Sequence, residues 1–172
     1  IIDLPTNSLY VEGSVISRLL MGTIGLQRVR SNRLLVVIGA HNDPIFSNAA
    51  INAVNASRVS YGLRNTDIVQ VEADMTMISR FAASGRAAGR INGLDSLWKI
   101  LESKNGSYDA VAISSVIDVP ASYHRDYFEV PGTMINPWGG VEAMLTHALS
   151  TIYNIPSAHS PMMETQEIAN MD

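Results

Sequence analysis

The run Leu34-Leu35-Val36-Val37-Ile38 constrains this chain most, because five consecutive large aliphatic residues leave a strand no face for water. Such a strand belongs in the middle of a sheet covered on both sides. The stretch from Ser47 to Leu63 follows it, with Ala50, Ile51, Val54, Arg58 and Tyr61 at three- and four-residue intervals and Gly62 as a stop, and predicts a crossover helix. Ile68 to Val71 and Ala110 to Ile113 read as further strands. Between them Asn92 stands where a cap belongs, ahead of Leu94, Leu97, Trp98 and Leu101, and that helix should run to about Lys104. Alternation of this kind predicts an α/β fold in three layers, a mostly parallel sheet with crossover helices.

A long helix is expected around Val141, Met144, Leu145, Ala148, Leu149 and Ile152, with Glu142, Thr146, Ser150 and Tyr153 on the opposite face, wet or functional. Asn154 and Pro156 end it, and Ile155 to His159 make a weak strand candidate because of the nearby prolines. Ser14 to Met21 is helical by composition. Val119 to Gly140 has little periodicity and is expected to be a long ordered loop, a kind of segment that is usually functional or mobile.

With 172 residues and 47% apolar side chains, the chain can fill one core, so residues 1–172 are read as a single domain. It starts at Ile1 without signal-peptide features, and a fragment of a longer chain is expected. No apolar run approaches the roughly 20 residues of a membrane-spanning helix. Cysteine is absent, which removes disulfides and thiolate chemistry and permits a cytoplasmic location. Charged residues are only 16%, so part of the surface is neutral or covered by a partner, either a second copy or a complementary chain. Residues 1–64 carry six Arg against three acids, and residues 110–172 carry Arg125 against seven acids. Arg28, Arg30 and Arg33 lack interleaved aromatics, so nucleic acid is not an expected partner.

Two glycine segments could carry chemistry. Ala83 to Arg90 brings together Ser84, Gly85, Arg86, Gly89 and Arg90 before a helix, the parts from which an anion site is built. Its plain alternative is a surface turn with solvated arginines. It fits neither the dinucleotide fingerprint nor the phosphate-binding loop, and no motif implies a cofactor. Asn136-Pro137-Trp138-Gly139-Gly140 precedes the long helix, and Trp138 is either a pocket wall or a core anchor. Glu142 complements the helix dipole there.

His41, His124, His147 and His159 show no metal-pair spacing, so no metal is expected. His147 borders the apolar stripe and reads as structural. His159 follows a strand candidate between Ser157 and Ser160, where ligands collect in open α/β sheets. Its imidazole suits acid/base work. No nucleophile-elbow motif supports a hydrolase triad.

The segment Leu4-Pro5-Thr6-Asn7-Ser8-Leu9-Tyr10-Val11-Glu12-Gly13, with Asn136 to Glu142 and Pro156 to Pro161, resembles an uncharacterised family, domain of unknown function thirty-three twenty-six, over most of the chain. Thr6 and Ser8 depart from the Asn and Ala expected there, which leaves the substrate open. The resemblance implies the middle portion of a protein about twice as long. It also implies Asn7, Tyr10, Glu12, Gly139, Gly140, Glu142 and His159 as pocket members. Some fungal relatives point to secondary metabolism, and a pericyclic cyclase of the sordarin Diels–Alderase type in a terpenoid pathway is one implied activity.

The resulting expectation is a small-molecule enzyme, an isomerase, lyase or cyclase acting on an apolar carbon skeleton with a carbonyl or carboxylate. Arg86 or Arg90 would hold the polar group, Trp138 would shape the pocket, and His159 with Glu12 would handle protons or hydrogen bonds. The alternative is a noncatalytic module that binds an anionic metabolite or serves assembly.

Overall fold

A computed structural model describes residues 5, 8, 13–27, 32–63, 65–71, 75–130, 132 and 134–170. Its main sheet runs in the order β2-β1-β5-β3-β4, with β6 paired to β5. These strands are β1 (Leu34–Ile38), β2 (Thr66–Gln70), β3 (Met77–Phe81), β4 (Ala87–Ile91), β5 (Ala110–Asp118) and β6 (Ser157–Met162). All ladders are parallel except β3 with β4. The helices are α1 (Gly13–Leu20), α2 (Pro44–Ser60), α3 (Leu94–Ser103), α4 (Ala121–Glu129), α5 (Gly139–Tyr153) and α6 (Gln166–Ala169). No helix among the described residues is long and apolar enough to cross a membrane.

β1 explains the three layers. Leu35 and Val37 join the core formed with Leu97, Leu101, Val141, Leu145 and Leu149 of α3 and α5. Val36 and Ile38 point the other way, against Phe46, Ala50, Ile51 and Val54 of α2. Successive strand side chains alternate between faces, so a run apolar at every position must be covered twice.

Several expected boundaries shift. α2 starts at Pro44 because the Asp43 carboxylate accepts from Ile45 N–H at 3.0 Å and proline suits the first helical turn. β5 continues past Ile113 to Asp118, through two serines. The weak strand near the C-terminus is real: β6 pairs Val111 to Val116 with Ser157 to Met162, and it includes Pro161.

Three expectations are corrected. Val119 to Gly140 is not one long loop, because α4 lies within it. There the aromatic residues pack on the core as Tyr123 and Tyr127, with His124 buried. The segment Ala83 to Arg90 is a β-hairpin, not a loop opening a helix. Ala82 N–H donates to Arg86 O at 2.9 Å, Gly85 takes a positive φ of 78°, and β4 follows directly. Asn92 does not cap α3: Gly93 holds that position in a left-handed conformation, and Asn92 Nδ2 donates to Thr76 Oγ1 at 3.3 Å.

A fourth correction concerns α5. Its apolar stripe is only partly inside, since Val141, Leu145 and Leu149 are buried while Met144 and Ile152 are exposed. Of the two expectations for the opposite face, wet or functional, the wet one fails: it is turned inward, with Thr146 and Ser150 buried. Partners on β6 make this possible: Ser157 Oγ donates to Thr146 O at 3.0 Å and lies 3.2 Å from Ser150 Oγ. Buried hydroxyls are tolerated when they are bonded in this way.

Candidate functional site

α5 lies tightly on β4 because glycine stands on both sides of the contact. A Cβ on Gly140 would come within 2.4 Å of the Ala87 carbonyl carbon and oxygen, and one on Gly89 within 2.9 Å of Val141 Cβ. Beside this contact, α1, α5 and the β3–β4 hairpin border an open cleft of about 670 Å³. α5 supplies Gly140, Ala143, Met144 and His147, an i, i+3, i+4, i+7 set, and the hairpin supplies Ala82, Ser84, Arg86, Ala87 and Ala88. α1 contributes Gly13, Ser14 and Ser17. The volume lies in the range of small-molecule sites, about 300–1,000 Å³, and the lining is largely apolar with a few polar groups. The Arg86 guanidinium makes no hydrogen bond or ion pair with any described residue, its backbone carbonyl accepting from Ala82 N–H in the hairpin.

The other polar constellation lies under α5, on its sheet side. His159 of β6 places Nδ1 2.9 Å from Glu142 Oε1 and Nε2 3.0 Å from Ser115 Oγ of β5. The imidazole side chain is 0% exposed and that of Glu142 is 22% exposed. An ionised carboxylate only accepts, so Nδ1 carries the hydrogen, and in the neutral ring Nε2 accepts from the Ser115 hydroxyl. Hydroxyl, imidazole and carboxylate thus form the bonded order used to activate a nucleophile. Ser115, however, is 0% exposed, with Gly39 of the turn after β1 packed so closely that a Cβ there would come within 2.9 Å of Ser115 Cβ. In this conformation the hydroxyl is closed to a substrate, and the chain ties α5 to the sheet.

The structure therefore divides the residues singled out in the sequence. Ser84, Arg86 and Gly140 meet in the cleft, and His159 and Glu142 meet beneath the helix. Gly85 sits in the exposed turn, and Arg90 is exposed on β4, outside the cleft lining. Trp138 is not a pocket wall but a core anchor, packed edge-on against His124 at 4.8 Å and Tyr127 at 5.7 Å. Gly139 N–H donates to Asn136 Oδ1 at 3.1 Å and forms part of the turn into α5. Asn7, Tyr10 and Glu12 lie outside the described residues. Among the described residues no group of three His, Asp or Glu is arranged to hold a metal ion.

The sequence reading passed over His147 as structural and overlooked Ser115. The cleft stripe on α5 was visible as small residues, Met144 and His147 at helical spacing. The signal for Ser115 was a pair of hydroxyls, Ser114 and Ser115, inside an otherwise apolar strand.

Residues 2–171 match the family described as "Protein of unknown function (DUF3326)". The chain is 29% identical over 161 residues to an uncharacterized lipoprotein, syc1174_c, of Synechococcus sp. (strain ATCC 27144 / PCC 6301 / SAUG 1402/1). That match covers 92% of this chain and 44% of the relative, so the chain spans less than half the length of the relative. No solved structure matches it significantly. Neither description names an activity. As the family match extends over nearly every residue from the N-terminal segment to the end of β6 and beyond, the chain belongs to the DUF3326 family.

Proposed function

We propose that this chain carries the small-molecule site of an enzyme of the isomerase, lyase or cyclase type, acting on an apolar carbon skeleton that bears a carbonyl or carboxylate. The observation that carries this reading is the cleft of about 670 Å³, largely apolar in lining, with Arg86 on its wall. The apolar lining takes the skeleton, and the guanidinium forks onto the polar group, fixing its orientation and polarising it. Holding a flexible substrate in a reactive conformer contributes to rate without any group on the protein moving a proton. A pericyclic cyclisation, with terpenoid secondary metabolism as its setting, is the finer form of this proposal. Where a proton must move, His147 is the imidazole in the cleft, and the role first given to His159 passes to it.

One observation favours a second reading, a noncatalytic module for an anionic metabolite. The imidazole best held for acid/base work, His159, is bonded at both nitrogens beneath α5 and does not line the cleft. Calorimetric titration with octanoate and with octanol tests the shared part of both readings. Octanoate should bind more tightly than octanol, and Arg86→Ala should remove about 1.5–3 kcal/mol of that binding, tenfold or more. Equal, Arg86-independent affinities would refute the cleft reading. Turnover is tested separately, by incubating the protein with a mixture of unsaturated apolar acids and following isomer composition by chromatography. Conversion supports the enzyme, and binding without conversion supports the module.

A cytoplasmic location is part of the same proposal. The cysteine-free sequence is compatible with it, and the relative described as a lipoprotein argues against it. Fractionation of cells expressing the natural protein decides between them.

A further inference from the structure

The cleft wall and the buried Ser115–His159–Glu142 chain are two sides of the same helical turns. Gly140, Ala143, Met144 and His147 face the cleft, while Glu142 and Thr146 face the sheet. The sheet side of these turns carries Val141 and Leu145 in the core and, beside them, polar contacts to β6. Of these, the Glu142 to His159 bond lies nearest the cleft-lining Gly140 and Ala143, and the Thr146 and Ser150 contacts with Ser157 lie further along α5.

We infer that His159 is a positioning residue for the cleft: through Glu142 it fixes the first turns of α5, and with them the wall against which a ligand packs. The inference rests on the small-molecule reading of the cleft. Each anchor is bonded on its own strand or helix: Glu142 on α5, His159 on β6 and Ser115 on the central strand β5. Glu142 is the one charged group among the described residues that is bonded to the imidazole. Gly39, in the turn after β1, packs against Ser115, and of the ionisable groups nearby Glu164 interacts with Asp118 and His41. An imidazole that is 0% exposed has no water to turn to when its acceptor is removed. Replacing the carboxylate with an apolar side chain therefore displaces the helical turn or the ring.

The test is octanoate affinity in the intact chain. Glu142→Gln keeps an acceptor for Nδ1–H and should stay within about threefold of the parent, whereas Glu142→Leu should bind about tenfold more weakly, the cost of a lost bond to a charged group. If Glu142→Leu binds as tightly as the parent, or Glu142→Gln falls as far as Glu142→Leu, the inference is overturned. If Glu142→Leu does not fold, Ser115→Ala takes its place, with about threefold weaker binding expected from the loss of one neutral bond, and unchanged affinity overturns the inference. A parent protein that takes no octanoate fails the cleft reading itself, a result distinct from either outcome above. Independently, ¹⁵N NMR of the neutral His159 ring should place its hydrogen on Nδ1, and a hydrogen on Nε2 contradicts the clasp.

Discussion

Two adjacent glycines at the start of α5 should respond to the same substitution in opposite directions. At Gly140 an added Cβ would sit 2.4 Å from the carbonyl carbon and oxygen of Ala87 and 2.8 Å from its Cβ. Two of these three atoms are backbone in a paired strand, so no rotamer change relieves the overlap, and α5 must lift from β4. Overpacking of this kind costs about 1–3 kcal/mol. At Gly139 the nearest atom to an added Cβ is Asn136 Cγ at 3.6 Å, an ordinary contact. Alanine there is tolerated, and by restricting the unfolded chain it stabilises by roughly 0.4–1 kcal/mol. Neither glycine has a positive φ, so backbone strain does not enter the comparison. Urea denaturation followed by circular dichroism reads both variants, and heat melting should show shifts of about 2–4 °C per kcal/mol for a chain of this size. Equal effects from Gly139→Ala and Gly140→Ala, or a Gly140→Ala midpoint unchanged from the parent, would refute the close packing of α5 on β4.

Other predictions follow from the same packing and charge arrangement. Leu145→Ala should cost about 2–5 kcal/mol, because Leu145 is 0% exposed in the core. Its neighbour Met144→Ala, on the cleft side and 43% exposed, should cost far less stability while weakening octanoate binding. The Arg33 side chain and N–H hold the Asp109 carboxyl down, from 3.8 to about 2. A depressed carboxylate stabilises the fold above its unfolded value, and that contribution is lost as pH falls from 3.8 through about 2, so Asp109→Asn should flatten the acid limb of a stability–pH curve. The effect is small because the pair is exposed. Burial and the Asp118 charge push Glu164 up, so its contribution has the opposite sign and Glu164→Gln should raise stability near neutral pH.

What the sequence made legible follows from how local each signal is. β1 declared itself because its environment is apolar on both sides, and α2 because its periodicity and its stop lie within one segment. The inward polar face of α5 was not legible, since Thr146 and Ser150 are tolerable inside only when Ser157, on a strand that looked weak, supplies the partner. α4 escaped notice because its stabilisation comes from Trp138 and the core, not from strong helix formers. Arg86 was singled out from a glycine- and arginine-rich segment ahead of a helix, but its setting was misjudged: the glycines near it serve a hairpin turn and a close crossing instead of an anion cradle. His159 was expected to act in the site, and it lies bonded at both nitrogens beneath α5, outside the cleft lining. Its partners, Glu142 and Ser115, come from two other elements, and no spacing rule joins the three.

The most direct measurement is a ¹H–¹⁵N and methyl NMR titration of the intact chain with octanoate. The cleft reading predicts saturable shifts confined to Ser84, Arg86, Gly140, Ala143, Met144 and His147, and their loss in Arg86→Ala. Shifts gathered elsewhere on the molecule, or none at concentrations where octanoate remains monomeric, would contradict it.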